Sequence, residues 1–177
     1  MNYKKIIKSD ILETISKIAD EKRYEIFVVG GYVRDSILEK KGKKDIDILV
    51  LGNGIKFANL VALNLKIKIQ VFKNFGTAMI KTKGFQIEFV GARKESYSES
   101  SRNPKIKKGT LSDDLSRRDF TINALAIRLN GKEKGKLIDN HNGLKDLSSK
   151  ILKTPKDPIK TFHDDPLRML RAIRFSS

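Results

Sequence analysis

Between residues 9 and 23, Ile11, Leu12, Ile15, Ile18 and Ala19 recur at helical spacing, which predicts an amphipathic helix. Asp10 and Glu13 stand in capping-box register at its start. Residues 25–29 read as a short buried strand ended by Gly30-Gly31, and residues 33–39 as a helix. From 45 to 51 the pattern alternates. Asp45, Asp47 and Leu49 share one face of a strand, and Ile46, Ile48 and Val50 the other. Residues 55–65 return to a helical period, and three β-rich runs follow at 67–72, 76–82 and 85–90.

A polar stretch at 96–111, rich in Ser, Asn, Pro, Lys and Gly, reads as a long mobile loop of functional character. Residues 117–128 mix helix and strand signals, 140–143 form a turn, and 144–150 a short helix. Asp165-Pro166 opens a further helix, with Asp as N-cap and Pro at the first helical position. Leu167, Leu170 and Ile173 form an apolar stripe on it, expected to pack. Arg168, Arg171 and Arg174 form a basic stripe of the same period, expected to face an anion or a base edge. Neither a glycine cap nor a proline follows, so the chain reads as ending inside a helix. Strands mixed with helices, then mostly helix, predict an α+β (mixed α/β) head followed by the start of a helical part. The expected boundary falls between residues 1–150 and 151–177.

Charge changes the picture. Lys and Arg number 37 against 21 Asp and Glu, a formal net charge of +16, so the expected partners are polyanions. A lysine-rich solvated surface is the plain alternative. Cysteine is absent, which excludes disulfides, cysteine zinc sites and thiol catalysis. No apolar run approaches the length of a membrane span, and the N-terminus lacks a signal-peptide core, so a cytoplasmic protein with no membrane partner is expected.

Against this charge, Asp45-Ile46-Asp47 stands out. Two carboxylates on one strand face repel unless they share a cation, and oxygen donors on one face suit Mg²⁺. A bare D-x-D on a solvated edge strand is the ordinary reading. Its neighbours alter that. Gly30-Gly31-Tyr32-Val33-Arg34-Asp35 lies between a strand and a helix, where glycines admit a phosphate close to the backbone and Arg34 can clamp it. Glu88, between apolar neighbours, is a third acid, wanting a metal, a cation or a proton, or pairing simply with Arg93 or a lysine. Arg117-Arg118-Asp119-Phe120-Thr121-Ile122-Asn123-Ala124 is dense in donors, or else a surface salt-bridge cluster. Gly52-Asn53-Gly54 lacks the third glycine of a dinucleotide turn. His141 and His163 are too few for a phosphohydrolase metal site and read as structural.

Taken in order, these motifs, with Asp139-x-x-x-Gly143-x-x-Asp146-Leu147 and Asp164-Asp165-Pro166-Leu167-Arg168-x-Leu170-Arg171-Ala172-x-Arg174-Phe175, resemble the head and first part of the neck of the class II tRNA nucleotidyltransferase and bacterial poly(A) polymerase family. The resemblance covers roughly residues 25–175. It implies a polymerase-β-like nucleotidyltransferase fold, two Mg²⁺ ions on Asp45 and Asp47, and Glu88 as the third carboxylate. It further implies that Gly31, with Gly30 beside it, Arg34 and Arg118 contact the incoming nucleotide. Asp165 and Arg168 face its base, and Arg171 and Arg174 lie near the triphosphate or support the pocket. Asp164 stands where the family usually carries Glu, one methylene shorter. Family members continue through a neck, body and tail, so the sequence reads as a fragment or a short gene product.

The implied reaction is template-independent, Mg²⁺-dependent transfer of CMP or AMP from CTP or ATP to an RNA 3′-hydroxyl, most simply tRNA 3′-CCA or partial CC or A addition. Poly(A) synthesis and a non-catalytic basic RNA-binding fragment are the alternatives. A pure binder has no use for three acids converging within so basic a chain.

Overall fold

Strand β2 (Asp45–Val50) carries the alternation into three dimensions: Ile46 and Ile48 are buried, Asp47 is half-buried and Asp45 exposed. The computed structural model describes residues 3–40, 42, 44–98 and 101–176. They form two compact units, one of residues 1–92 with 126–138, the other of residues 93–125 with 139–177.

The first unit is built on a seven-stranded mixed sheet that takes in β1 (Ile26–Val29), β2, β3 (Ile69–Phe72), β4 (Thr77–Lys81), β5 (Gln86–Gly91), β8 (Ala126–Arg128) and β9 (Leu137–Ile138), in the order β3-β4-β5-β2-β1-β8-β9. Strand β5 runs parallel to β2, and the other neighbours are antiparallel. Ile46, Ile48, Ile87, Phe89 and Val28 point to one side of the sheet and are fully buried. Helix α3 (Gly54–Leu65) covers that side, with Phe57 edge-on to Phe89 at 5.8 Å and tilted against Tyr24 at 4.9 Å. Side chains of this size stabilise a fold by about 1.5–3 kcal/mol each when buried. Helix α1 (Asp10–Glu21) packs on α3, and α2 (Gly31–Ile37) packs on β1 and β2. The expected strands and helices of this unit appear with ends shifted by a few residues. One cap differs. Ser9, not Asp10, is the N-cap of α1, and its Oγ accepts from the Leu12 N–H at 3.4 Å. Asp10 is already helical and contributes its charge to the first turn instead.

The second unit contains a surprise. The polar stretch expected to be a mobile loop is an antiparallel hairpin of β6 (Arg93–Ser98) and β7 (Ser101–Lys108). Helix α4 (Leu111–Ser116) follows, opened by a capping box in which the Thr110 hydroxyl accepts from the Asp113 N–H and the Asp113 carboxylate accepts from the Thr110 N–H. Alternating lysines and polar residues hide a strand pair from a hydrophobicity pattern, because neither face is apolar. A 3-10 turn (Thr121–Asn123) leads back to the sheet, and α5 (Gly143–Ser148), α6 (Pro158–Asp164) and α7 (Leu167–Ser176) complete the unit. Gly143 lies against the 3-10 turn so closely that a Cβ would stand 2.3 Å from the Thr121 carbonyl oxygen. Helix α6 repeats the Asp-Pro opening, with the Asp157 side chain accepting from the Lys160 N–H.

The apolar stripe of α7 does not pack as expected. Leu167, Leu170 and Ile173 are 44%, 64% and 68% exposed. The helix is instead held by Phe175, edge-on to Phe120 at 5.8 Å, and by two of its arginines.

Candidate active site

Within the first unit the acids meet on the side of the sheet opposite α3. Asp45 and Asp47 lie two residues apart on β2, and in the parallel register Asp47 stands directly across from Glu88 on β5. All three therefore project from one face. Glu88 is half-buried rather than buried, and the pairing with Arg93 does not form: the Arg93 guanidinium bonds the Glu95 carboxylate at 2.9 Å.

Asp45 and Asp47 line a cavity of about 350 Å³ together with Gly31, Tyr32, Asp35, Lys40, Gly42 and Lys44. Gly30 turns the chain from β1 into α2 with φ +73° and ψ −136°, a conformation that a side chain strains. That turn brings Gly31 into the cavity wall without a Cβ. Arg34, one turn further on, donates from Nε to Asp35 Oδ1 at 2.8 Å, with Nη2 at the same distance. The Tyr32 hydroxyl donates to the Ile6 carbonyl at 3.1 Å, and burial raises its pKa above the ordinary value. Asp35 comes to the cavity with the glycine turn, and Lys40 and Lys44, in the lysine-rich segment just before the D-x-D, add two cations that no motif marked.

Among the described residues no three His, Asp or Glu side chains form a ready-made metal cluster. The donor set on β2 still fits a hard divalent ion. Mg²⁺ keeps several waters and is commonly held by one or two carboxylates, with substrate phosphates supplying further oxygens.

In the second unit the donors are organised around buried acids. Asp114 is fully buried. Its Oδ1 accepts from Arg117 Nε at 2.9 Å and Nη2 at 2.6 Å, and its Oδ2 accepts from Arg118 Nη2 at 3.2 Å. Arg117 Nη1 also reaches Glu95, which Arg93 shares. This is a buried ion network, not a surface cluster. Among the described residues three guanidinium groups meet two carboxylates here, and Arg118 Nε is buried with no hydrogen-bond acceptor. A site with surplus positive charge and an unused donor suits an anion.

Helix α7 is tied to the segment that follows Arg118. Asp119 Oδ2 accepts from Arg171 Nε at 2.7 Å and Nη2 at 2.6 Å, while its Oδ1 accepts from the Phe120 N–H and Asn123 Nδ2. Arg168 Nη2 donates to the Arg117 carbonyl at 2.9 Å. The Arg174 guanidinium stacks over Phe175 at 5.0 Å. Asp165 Oδ1 accepts from the Leu167 N–H at 3.2 Å, so the expected cap forms; its Oδ2 accepts no hydrogen bond among the described residues. Asp45, Asp47, Glu88, Gly30, Gly31 and Arg34 thus belong to the first unit, and Arg118, Asp165, Arg168, Arg171 and Arg174 to the second. Asp114 and Asp119 organise the second group and had not been singled out, although both lie in or beside the motif around Arg117-Arg118.

The family model for the poly A polymerase head domain matches residues 26–153. An A-adding tRNA nucleotidyltransferase of Aquifex aeolicus is 42% identical over 150 residues, covering 85% of this chain and 18% of the relative. A solved CCA-adding enzyme in an apo form superimposes with a TM-score of 0.88 at 38% identity, covering 99% of this chain and 42% of that one. A tRNA nucleotidyltransferase solved with a primer tRNA and an incoming ATP analogue gives a TM-score of 0.77 at 38% identity, covering 92% of this chain and 44% of that one. The first three curated relatives are spanned over only 18%, 18% and 39% of their length.

Proposed function

The chain belongs to the poly A polymerase head-domain family of nucleotidyltransferases, and from that premise we propose that it adds CMP and AMP from CTP and ATP to the 3′-hydroxyl of tRNA. The observation that carries this reading is the register of β2 and β5. It sets Glu88 beside Asp47 on the face whose D-x-D pair lines the same cavity as Gly31. Residues 1–150 would serve as the head and 151–177 as the start of the neck, in a cytoplasmic setting. Among the described residues no helix is long and apolar enough to cross a membrane.

In this reading Asp45 and Asp47 would hold Mg²⁺, with Glu88 as the third carboxylate. When bound, the divalent ions lower the pKa of an attacking hydroxyl and offset charge on the α-phosphate and the leaving oxygen. The RNA 3′-hydroxyl gives up its proton to solvent or to one of these carboxylates, its oxygen bonds to the α-phosphorus, the bond to the bridging oxygen breaks, and pyrophosphate leaves. Gly30 and Gly31 let phosphate oxygens approach the backbone. Arg34, Lys40 and Lys44 supply positive charge at the cavity. In the second unit Asp114 fixes the Arg118 guanidinium in orientation, where its charge suits a nucleotide phosphate.

Base choice rests on Asp165 and Arg168, an acceptor-only and a donor-only side chain. Cytosine and adenine both present an amino donor beside a ring-nitrogen acceptor; uracil and guanine reverse the order. One Asp–Arg pair can thus serve C and A. Arg171 holds α7 through Asp119, so its part is support of this pocket.

The test is to supply tRNA ending before CCA with each nucleotide singly and with all four, and to read the 3′ ends. CC then A is expected. The A-adding relative makes AMP-only addition the second reading, and failure to incorporate from CTP selects it.

A further inference from the structure

Two consecutive cross-strand pairs at the base of the β6–β7 hairpin are both cation against cation. Arg93 stands opposite Lys108, and Lys94 opposite Lys107. Opposed residues on neighbouring strands hold their Cβ atoms about 4.5–5.5 Å apart, and like charges there are destabilising. The two pairs differ in what offsets them. Arg93 bonds the Glu95 carboxylate, on the face that also takes part in the Arg117 network. Lys94 and Lys107 point to the other face, where both are exposed and neither forms an ion pair among the described residues. Asp113 is the acid whose carboxylate feels Lys94, and that carboxylate already accepts the Thr110 N–H and hydroxyl hydrogen bonds of the capping box. Lys156 acts on the same acid, so the cations around it outnumber it.

A strand pair that sets lysine against lysine on its open face is better stabilised with an anion between them than without. Among the described residues the position has no apolar neighbour on that face to attract a protein surface, since Lys94 is followed there by Ser96. What fits is a chain of closely spaced phosphates. We propose that the open face of the β6–β7 hairpin, through Lys94 and Lys107, is a contact for the phosphate backbone of the RNA substrate, separate from the acid-lined cavity. This rests on the proposed action on RNA and adds where the strand is gripped.

The experiment measures binding of a tRNA lacking its terminal CCA to the full 177-residue chain, from low to physiological salt. Lys94→Gln/Lys107→Gln is compared with Lys56→Gln/Lys66→Gln, a pair on or beside α3 that removes the same net charge. Each phosphate contact contributes about 0.7 to 0.9 to the slope of log K against log salt. The hairpin variant is expected to lose about 1.4 to 1.8 from that slope, the α3 variant much less. The single variants Lys94→Gln and Lys107→Gln, each expected to lose about half as much, keep the result readable should the double variant fold poorly. An unchanged slope, equal losses in both double variants, no binding of RNA by the parent chain, or binding only to anionic vesicles would each overturn the proposal. The nucleotide-incorporation assay is run in parallel on the parent chain. A slope loss without incorporation leaves the hairpin contact standing and removes the enzymatic reading, and incorporation with an unchanged slope does the reverse.

Discussion

Asp119 receives both Nε and Nη2 of Arg171 on a single carboxylate oxygen, at 2.7 and 2.6 Å, and so fastens α7 to the segment that carries Arg118. Asp119 is 7% exposed whereas the Arg171 side chain is 45% exposed. The two ends of this bond therefore carry unequal weight. Removing the arginine leaves an acid that still accepts from the Phe120 N–H and Asn123. Removing the acid leaves those two donors without their acceptor.

Arg171→Ala should accordingly lower stability by about 1.5–3 kcal/mol, the usual range for a hydrogen bond to a charged group. Asp119→Ala should cost more, about 3–5 kcal/mol, because it strips a buried pair of its less accessible member. Urea denaturation of the two variants checks the order, and an Arg171 variant the more damaged of the two would contradict it.

Asp45→Asn and Asp47→Asn are expected to fold normally and to lose nucleotide addition by about three orders of magnitude or more, if charge stabilisation at the α-phosphate supplies several kcal/mol. Asp45 is exposed and Asp47 half-buried, so neither change opens a hole in the core. Single-turnover rates at saturating Mg²⁺, with circular dichroism as the control for folding, decide this.

Asp165→Asn keeps an oxygen for the Leu167 N–H while giving the side chain a donor. Preference for CTP and ATP over UTP and GTP should fall by on the order of 10- to 10²-fold, from relief of the one mismatch of roughly 1–3 kcal/mol that Asp165 imposes, the Arg168 mismatch remaining. Incorporation from each triphosphate is the measurement. A folded variant with unchanged selectivity would reduce Asp165 to a helix cap.

Gly143→Ala should destabilise the protein more than Gly84→Ala, where a Cβ meets nothing within 4 Å. At Gly143 the new methyl would have to displace the Thr121 backbone, and Thr121 is itself fixed by a 2.6 Å bond from its hydroxyl to Asp146 Oδ2. Thermal melts of the two variants provide the comparison.

Protonation of His141 gives a pH signature. Its Nε2 lies 3.0 Å from Ser116 Oγ, and burial holds its pKa below the ordinary value; Lys156 adds to that and Asp139 opposes it. Between the folded and unfolded pKa values the unfolded chain binds more protons, so stability rises with pH there. The contribution is complete above about 6.5, the unperturbed histidine value, and is lost as pH falls through the lower folded pKa. Melting temperatures between pH 5 and 7.5 should climb in the parent chain and climb less steeply in His141→Gln.

Much of this architecture could be read from the chain because its signals were local. The alternation at 45–50 announced both the strand and which residues shared a face, and the glycines at 30 and 31 marked the turn into α2. The partner of Asp47 could not be read this way. That Glu88 stands across from it depends on β5 running parallel to β2, a fact of topology and not of either segment. The same limit hid the bond from Arg171 to Asp119, 52 residues apart. On α7 the period was right but the packing side was wrong. Phe175 and the guanidinium groups of Arg168 and Arg171 anchor the helix, and the leucines face outward.

The sheet of the first unit is completed late in the chain. Strand β1 has β2 on one edge, and its other edge is closed only by β8, whose Ala126 pairs with Val29. Asn130 then seals the strand's start by accepting from the Ile26 N–H through its side chain, and Leu129 donates to the Ile26 carbonyl. During synthesis nearly a hundred residues emerge between the two partners, so the growing polypeptide carries a fully apolar strand with one open edge for several seconds at ordinary elongation rates of about 5–20 residues per second. Such an edge is a template for pairing with another chain. Pairing over so long a separation also slows folding, because loop closure must be achieved before the contacts reward it. Premature termination before Ala126 would leave that edge open for good, and aggregation is the expected fate of such a product.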